Sequence, residues 1–203
     1  MTDWTTPITL TGKHVRLEPM SEAHVPQLTQ IGAGQDFWRF MVYGDINNEA
    51  DLRKWALEIL SRAEKGTDLP FAVIHLASGR VAGATRYMNM MPKDRGLEIG
   101  GTWYRKQVQR TSINTECKLM LLTHAFENLN CIAVEFRTHF FNQQSRRAIE
   151  RLGAKLDGIL RNHRRSGDGT LRDTCVYSII ASEWPTVRSH LRHQLATRGA
   201  KSL

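Results

Sequence analysis

The residues from Leu97 to Glu116 concentrate the types and spacing that could do chemistry. Leu97-Glu98-Ile99-Gly100 sets a carboxylate inside an apolar run. A polar, positive loop follows, with Arg105, Lys106, Gln109 and Arg110, and leads straight into a long apolar helical pattern. The first turn of a helix presents backbone N–H groups that have no intrahelical acceptor, at the positive end of the helix dipole. Such an end holds a phosphate or pyrophosphate without a dedicated side chain. Arg105, Lys106 and Arg110 would add point charges for a further phosphate. A second polar group, Asn142-Gln143-Gln144-Ser145, precedes another helical pattern, and Asn142 has the character of its N-cap. Cys117 lies mid-helix on an apolar face with no base beside it in sequence, which favours a buried thiol over an acyl-carrying nucleophile. His139, His163 and the other six histidines lack metal-ligand spacing, so no metal is expected.

The elements that position these groups follow from hydrophobic periodicity. His14 to Pro19 reads as extended, and Ser21 opens a segment like a capped helix. Leu52, Trp55, Ala56, Ile59, Leu60 and Ala63 mark one face of a second helix. Phe71 to Leu76 and Val81 to Met90 form a hairpin around Ser78-Gly79-Arg80, and Gly96 to Tyr104 is a further extended segment. Trp38, Trp55 and Trp103 are expected in the core or as pocket walls. Thr111 to Leu129 is helical and Ile132 to Thr138 a strand. Ser145, Ala148, Ile149 and Leu152 line another helix, which Gly153 ends. Ala154 to Arg165 and Leu171 to Ile180 are strands joined by a turn at Ser166-Gly167-Asp168-Gly169, and a last helix runs from Ser182 with Pro185 in its first turn. The order β-α-α-β-β-β-α-β-α-β-β-α describes a mixed α/β domain built on one sheet.

Bulk properties narrow the class. The chain has 203 residues, 41% hydrophobic and 24% charged, typical of a globular protein with a full core. Three scattered cysteines, Cys117, Cys131 and Cys175, argue against a disulfide framework and for a reducing compartment. No secretory signal follows Met1, and no apolar run reaches the ~18 residues of a membrane span. A cytoplasmic protein of one domain over residues 1–203 is expected. The net charge of +8 fits an anionic small ligand; the basic residues, from Arg105 to Arg198 and Lys201, are not interleaved with aromatics as base-stacking surfaces are.

In their order and spacing these motifs resemble the GCN5-related N-acetyltransferase superfamily, and most of all its ribosomal-protein N-terminal-alanine acetyltransferases. The resemblance is carried by Glu98-Ile99-Gly100, by Gln109-Arg110-Thr111-Ser112-Ile113-Asn114-Thr115-Glu116, and by Asn142-x-x-Ser145 with Leu152-Gly153-Ala154. The closing segment, Arg172-Asp173, Tyr177-Ser178-Ile179 and Glu183-Trp184-Pro185, also fits, and the likeness spans roughly residues 10 to 190. It implies a mostly antiparallel sheet with a central, splayed parallel strand pair and helices on both faces. It implies acetyl-CoA between the splayed strands, its pantetheine along Thr102, Trp103 and Tyr104 and its pyrophosphate on the amides from Arg110 to Thr115. The family pattern there is Gln/Arg-x-x-Gly-x-Gly/Ala. Gln109 matches, whereas Ser112 and Asn114 stand at the two small-residue positions; neither removes a backbone N–H.

Acetyl transfer needs an amine, of pKa near ~10, to lose a proton, and it needs N–H groups at the thioester oxygen and a proton for the departing thiolate. Glu98 is the candidate base, acting through water, unless it is only a salt-bridged strand carboxylate. The family's usual tyrosine acid falls on Ile149, so Ser145 is the candidate donor, as in the resembled subgroup, unless it only hydrogen-bonds backbone or cofactor; Tyr177 is an alternative acid. Asn142 is expected to cap its helix and contact the pantetheine. The acceptor is a protein N-terminus or a small amine. The hairpin Arg161 to Arg172 and the segment Asp36 to Asp45 are expected to border its pocket, where arginines suit a carboxylate-bearing acceptor. A non-catalytic acyl-CoA sensor is the alternative reading; nucleic-acid binding rests on charge alone. A homodimer stays open.

Overall fold

The computed structural model describes residues 4–44, 46–166 and 169–199, with backbone only for residues 198 and 199. The expectations that fall on Asp45, on Gly167 and Asp168 of the hairpin turn, on the Arg198 side chain and on Lys201 lie outside the described residues. One eight-stranded sheet runs β1 (Leu10–Thr11), β2 (Val15–Pro19), β3 (Leu69–His75), β4 (Arg80–Met91), β5 (Gly96–Tyr104), β6 (Ala133–His139), β8 (Leu171–Ile180), β7 (Lys155–Arg165) in spatial order. Every neighbouring pair is antiparallel except β5 and β6, which are parallel. The helices are α1 (Val25–Gly32), α2 (Glu49–Glu64), α3 (Ile113–Thr123), α4 (Gln143–Arg151) and α5 (Trp184–Gly199). This is the mixed, mostly antiparallel α/β architecture expected from the sequence.

Two cores lie on opposite faces of the sheet. Phe71 and Val73 of β3 join Ile113, Cys117, Leu121 and Leu122 of α3 and Trp184, Val187 and Leu191 of α5. Ala72 and Ile74, alternating with them, join Leu28 of α1 and Leu52, Trp55 and Ile59 of α2. Coverage on both faces explains why β3 reads as a continuous apolar run without alternation. Trp38, Trp55 and Trp103 are all core residues. Their rings lie 5.5 to 6.0 Å apart, and Phe37 stacks on Trp103 at 5.8 Å.

The structure differs from the sequence pattern in winding. The helix expected over Thr111 to Leu129 is α-helical only from Ile113 to Thr123. It then widens into a single π turn at His124–Asn128, closed by Leu129 N–H donating to His124 O at 3.0 Å. Apolar positions 121, 122, 125, 126 and 129 suit either winding, so periodicity could not reveal the turn. The segment after Ser21 begins as a tight 3-10 turn, Glu22–His24, because Pro26 offers no N–H to a regular first turn. Gly153 has φ of +102°, the left-handed position just past a helix end.

Glu116, on α3, reaches across to the β1–β2 turn. Its carboxylate accepts three backbone N–H bonds, from Lys13 at 2.6 Å, His14 at 2.8 Å and Val15 at 3.1 Å. The start of α3 is thereby tied to the edge of the sheet. Among the described residues, no helix is long and apolar enough to cross a membrane.

Candidate active site

The parallel pair β5–β6 is short. Gly96 pairs with Ala133, Leu97 with Val134 and Glu98 with Glu135, and there the pairing stops. Beyond Glu98 the two strands follow different neighbours: β5 stays with β4 as far as Tyr104 opposite Gly83, and β6 stays with β8 as far as His139 opposite Thr174. A wedge opens between them, and the backbone of Ile99 to Tyr104 has no strand partner on that side. The parting coincides with a bulge in β5. Gly101 has φ of +57° where the register against Ala84 and Arg86 shifts, a conformation glycine adopts without strain. Gly83 permits the close approach that follows, since a Cβ there would lie 2.1 Å from Trp103 O.

Glu98 sits at the apex of the wedge and is 6% exposed. Leu97 and Ile99 point into the core beneath α3, so period-two alternation turns Glu98 to the opposite face. Its Oε2 accepts a 2.7 Å hydrogen bond from Asn89 Nδ2 and lies 3.6 Å from Arg137 Nε. Burial pushes the Glu98 carboxyl above the ordinary carboxylate range, and the Asn89 bond and the Arg137 charge only partly oppose it. Glu98 is thus also a salt-bridged strand carboxylate, sharing Arg137 with Glu135, whose contact is the closer at 2.7 Å.

The expected cofactor residues occupy the other face and the open edge. The Thr102 hydroxyl is 2.8 Å from that of Thr85 and accepts a 2.7 Å bond from Lys118 Nζ. Trp103 turns its ring into the α1/α2 core, leaving only its backbone at the wedge. Tyr104 donates to Asn114 Oδ1 at 3.1 Å, and Gln109 Nε2 donates to Tyr104 O at 2.9 Å. These two bonds fasten the loop to the end of β5. Arg110, exposed, has φ of +63°. The Thr111 hydroxyl donates to Val108 O at 2.7 Å and accepts from Ile113 N–H at 3.3 Å, so it performs the capping that Ser112, formally the N-cap, does not. Ile113 is buried, and Thr115 Oγ1 accepts from Arg151 Nη1 at 3.1 Å, joining α3 to α4. The N–H groups that open α3 have no intrahelical acceptors.

At the far wall, β6 leads through Phe140 and Phe141 into α4. Asn142 caps it, its Oδ1 accepting from Ser145 N–H at 3.0 Å. Ser145 is half-buried in this first turn. Tyr177 donates to Glu150 Oε1 at 2.9 Å and accepts from Arg146 Nε at 3.0 Å, on the α4 face of the sheet. Glu98 therefore stands on one face, and the α3 and α4 N-termini on the other, with the wedge as their common opening. Cys117 is fully buried and its thiol is pushed up to about 12. Among the described residues, no group of three or more His, Cys, Asp or Glu could hold a metal.

Sequence reasoning missed the residues around Glu98. Asn89 has left-handed φ of +48° at the irregular end of β4, and Arg137 comes from the next strand in space. Arg137 alternates with the buried Phe136, a pattern that marks its face but not its neighbour. Arg86 and Tyr43 share a hydrogen bond, and Arg86 Nε lies 3.1 Å from Asp68 Oδ2, both side chains being buried.

Lys118 was also missed. It is 4% exposed, and among the described residues no carboxylate lies within 4 Å of it. Burial holds the ammonium down to about 8 against 10.5 for a free lysine. A group held below its unfolded value costs stability in full beneath pH 8 and nothing above 10.5. Lys118→Met is therefore expected to raise the melting temperature at pH 7 and to lose that advantage towards pH 10.5, since Thr85 and Thr102 still bond to each other. Thermal melts across that window check this; a constant difference between the two proteins would refute it.

A family model described as acetyltransferase (GNAT) domain matches residues 14–155. A Bacillus subtilis (strain 168) protein provisionally named ribosomal N-acetyltransferase YdaF is 30% identical over 109 residues, covering 54% of this chain and 58% of that one. The chain thus spans less than two thirds of the length of that curated relative. A provisionally named acetyltransferase of T. thermophilus superposes with TM-score 0.83 at 34% identity, over 94% of this chain and 98% of that one. A GCN5-related N-acetyltransferase from Brucella melitensis gives 0.85 at 29%, over 93% and 85%.

Proposed function

We propose, because the chain belongs to the GNAT acetyltransferase family, that it moves an acetyl group from acetyl-coenzyme A onto a primary amine by direct attack in a ternary complex. The observation that carries this reading is the wedge that opens beyond Glu98, with a buried carboxylate at its apex and an unpaired strand edge along its wall.

Acetyl-coenzyme A supplies the acyl group as a thioester. The residues fit it: the unpaired edge from Ile99 to Tyr104 offers backbone groups to the pantetheine, with Thr102, Trp103 and Tyr104 contributing main chain. The amides from Arg110 through Thr111, Ser112, Ile113 and Asn114 to Thr115 suit the pyrophosphate. Ser112 and Asn114 leave this intact, for the Asn114 side chain is drawn aside by Tyr104. Glu98 takes a proton from the incoming ammonium through water, a role its raised pKa suits. The amine nitrogen forms its bond to the carbonyl carbon as the C–S bond breaks, and backbone N–H groups of the open edge meet the charge on the thioester oxygen. The nitrogen's second proton passes to the departing thiolate through the Ser145 hydroxyl, which gives one proton to sulfur as it takes one from nitrogen, and Asn142 fixes the turn that carries it.

The acceptor is read as a protein N-terminus or a small amine, and three free, buried cysteines support a cytoplasmic setting. The test is thiol release from acetyl-CoA against pooled N-terminal peptides and small amines. Release that requires an amine supports the reading. CoA binding without release from any acceptor would overturn it in favour of a sensor.

A further inference from the structure

Four basic side chains come from the strands on the β6 side of Glu98. Arg137 comes from β6, Arg172 from β8, and His163 and Arg164 from β7. Arg172 and Arg164 are directly paired across β7–β8. Like charges at such a position are destabilising unless something lies between them. Arg172 is 6% exposed; it donates to Phe40 O at 3.0 Å and to Thr174 Oγ1 at 3.2 Å, neither of which carries charge. Among the described residues no carboxylate lies within 4 Å of Arg164 or Arg172. His163 Nδ1 is buried without a hydrogen-bond partner. Burial, then the charges of Arg164, Arg137 and Arg172, push this histidine below its ordinary value, so each of the three arginines acts on the imidazole.

The nearby carboxylates already have partners, and Arg137 is the partner of two of them, while Glu98 also acts on Arg172 at longer range. Glu98 is held by Asn89 and faces Arg137, Glu135 is bound by Arg137, Asp68 lies against Arg86, and Asp173 is bound by Arg161 and by Asn162 N–H. Two of the hairpin's arginines turn away: Arg161 to Asp173, and Arg165 towards Gly169 O. A buried Arg172 guanidinium without an ion pair, opposite the exposed Arg164 and with the unpaired His163 nitrogen, is unfavourable for the free chain and favourable around an anion.

We propose that Arg172, Arg164 and His163, with the carboxylate-paired Arg137 alongside, bind a carboxylate of the amine acceptor. This rests on the acetyl-transfer reading and narrows its substrate. Arg137 Nε is only 3.6 Å from the Glu98 carboxylate, where the acceptor's amine is activated. The bound carboxylate must then lie within a residue or two of that amine. It is either the α-carboxylate of a free amino acid or the side chain of an acidic residue at the start of a peptide.

The experiment compares matched acceptors differing only in charge: amidated peptides beginning Ala-Glu or Ala-Gln, and free glutamate against its α-amide. The acid of a pair is expected to exceed its amide at least tenfold in kcat/KM, and the pair that shows this identifies the source of the carboxylate. Arg164→Ala and, separately, Arg172→Gln should bring that ratio towards one while the KM for acetyl-CoA stays put. The ratio is taken within one protein, so partial misfolding cancels. Equal turnover of acid and amide in both pairs overturns the carboxylate site and leaves acetyl transfer standing. No turnover of any amine, charged or neutral, overturns the acetyl-transfer reading and the site with it.

Discussion

Glu98→Gln is expected to lower kcat/KM by about a hundredfold or more, the range over which a positioned general base contributes. The amide keeps the size of the side chain and still accepts from Asn89, so folding should survive. It cannot take a proton. The pH profile carries the sharper information. Catalysis needs the ionised carboxylate, and burial raises its pKa, so the rate of the parent protein should fall on the acid side at a pH above the ordinary carboxylate value of 4.5. The glutamine variant should lose that limb. Steady-state rates from pH 5 to 9 with an unhindered primary amine measure both. A variant that keeps its rate and its acid limb would remove Glu98 from the mechanism, whatever the family pattern implies.

Glu116→Ala should produce the largest loss of stability, about 3 kcal/mol or more. Hydrogen bonds to a charged acceptor contribute roughly 1.5–3 kcal/mol each, and a buried donor left unpaired costs about 1–3 kcal/mol. Three amides, those of Lys13, His14 and Val15, lose their acceptor at once. The full sum is not expected, because the turn is only partly buried and water can reach some of the freed N–H groups. Glu116→Gln keeps one acceptor oxygen and should fall between parent and alanine variant. Urea unfolding gives the comparison: the midpoint should drop with the slope unchanged. A midpoint shift below about 1 kcal/mol would mean the β1–β2 turn rearranges freely and Glu116 ties nothing down.

These two glutamates show how differently the sequence speaks. Both fall in the polar stretch richest in chemistry, and both belong to the motifs that carry the family likeness. Glu98 could be given a candidate role because an acid inside an apolar strand is unusual whatever surrounds it. Glu116 could not, since its partners are backbone amides about a hundred residues away, and backbone carries no residue-type signal. Lys118 is a stronger case. Within an apolar helix it reads as a solvated lysine, yet it is buried against Thr85 and Thr102.

Most of the element order was legible, because β3 is an unbroken apolar run, α2 has helical periodicity with Gly66 just past its end, and Gly153 closes α4. The resemblance added the parallel pair and its parting, which composition and spacing alone do not contain. What only the tertiary structure decided is which strand lies next to which. β6 neighbours β5 although nearly thirty residues separate them, and this sets Arg137 beside Glu98. β7 is the sheet's far edge, yet its register sets Arg164 opposite Arg172, and its His163 feels the charges of Arg137 and Arg172. Periodicity assigns a side chain to a face, and a face holds many residues. The distances that make a base or an anion site arise from hydrogen-bonded register between strands remote in sequence, which is indifferent to the residues' order along the chain.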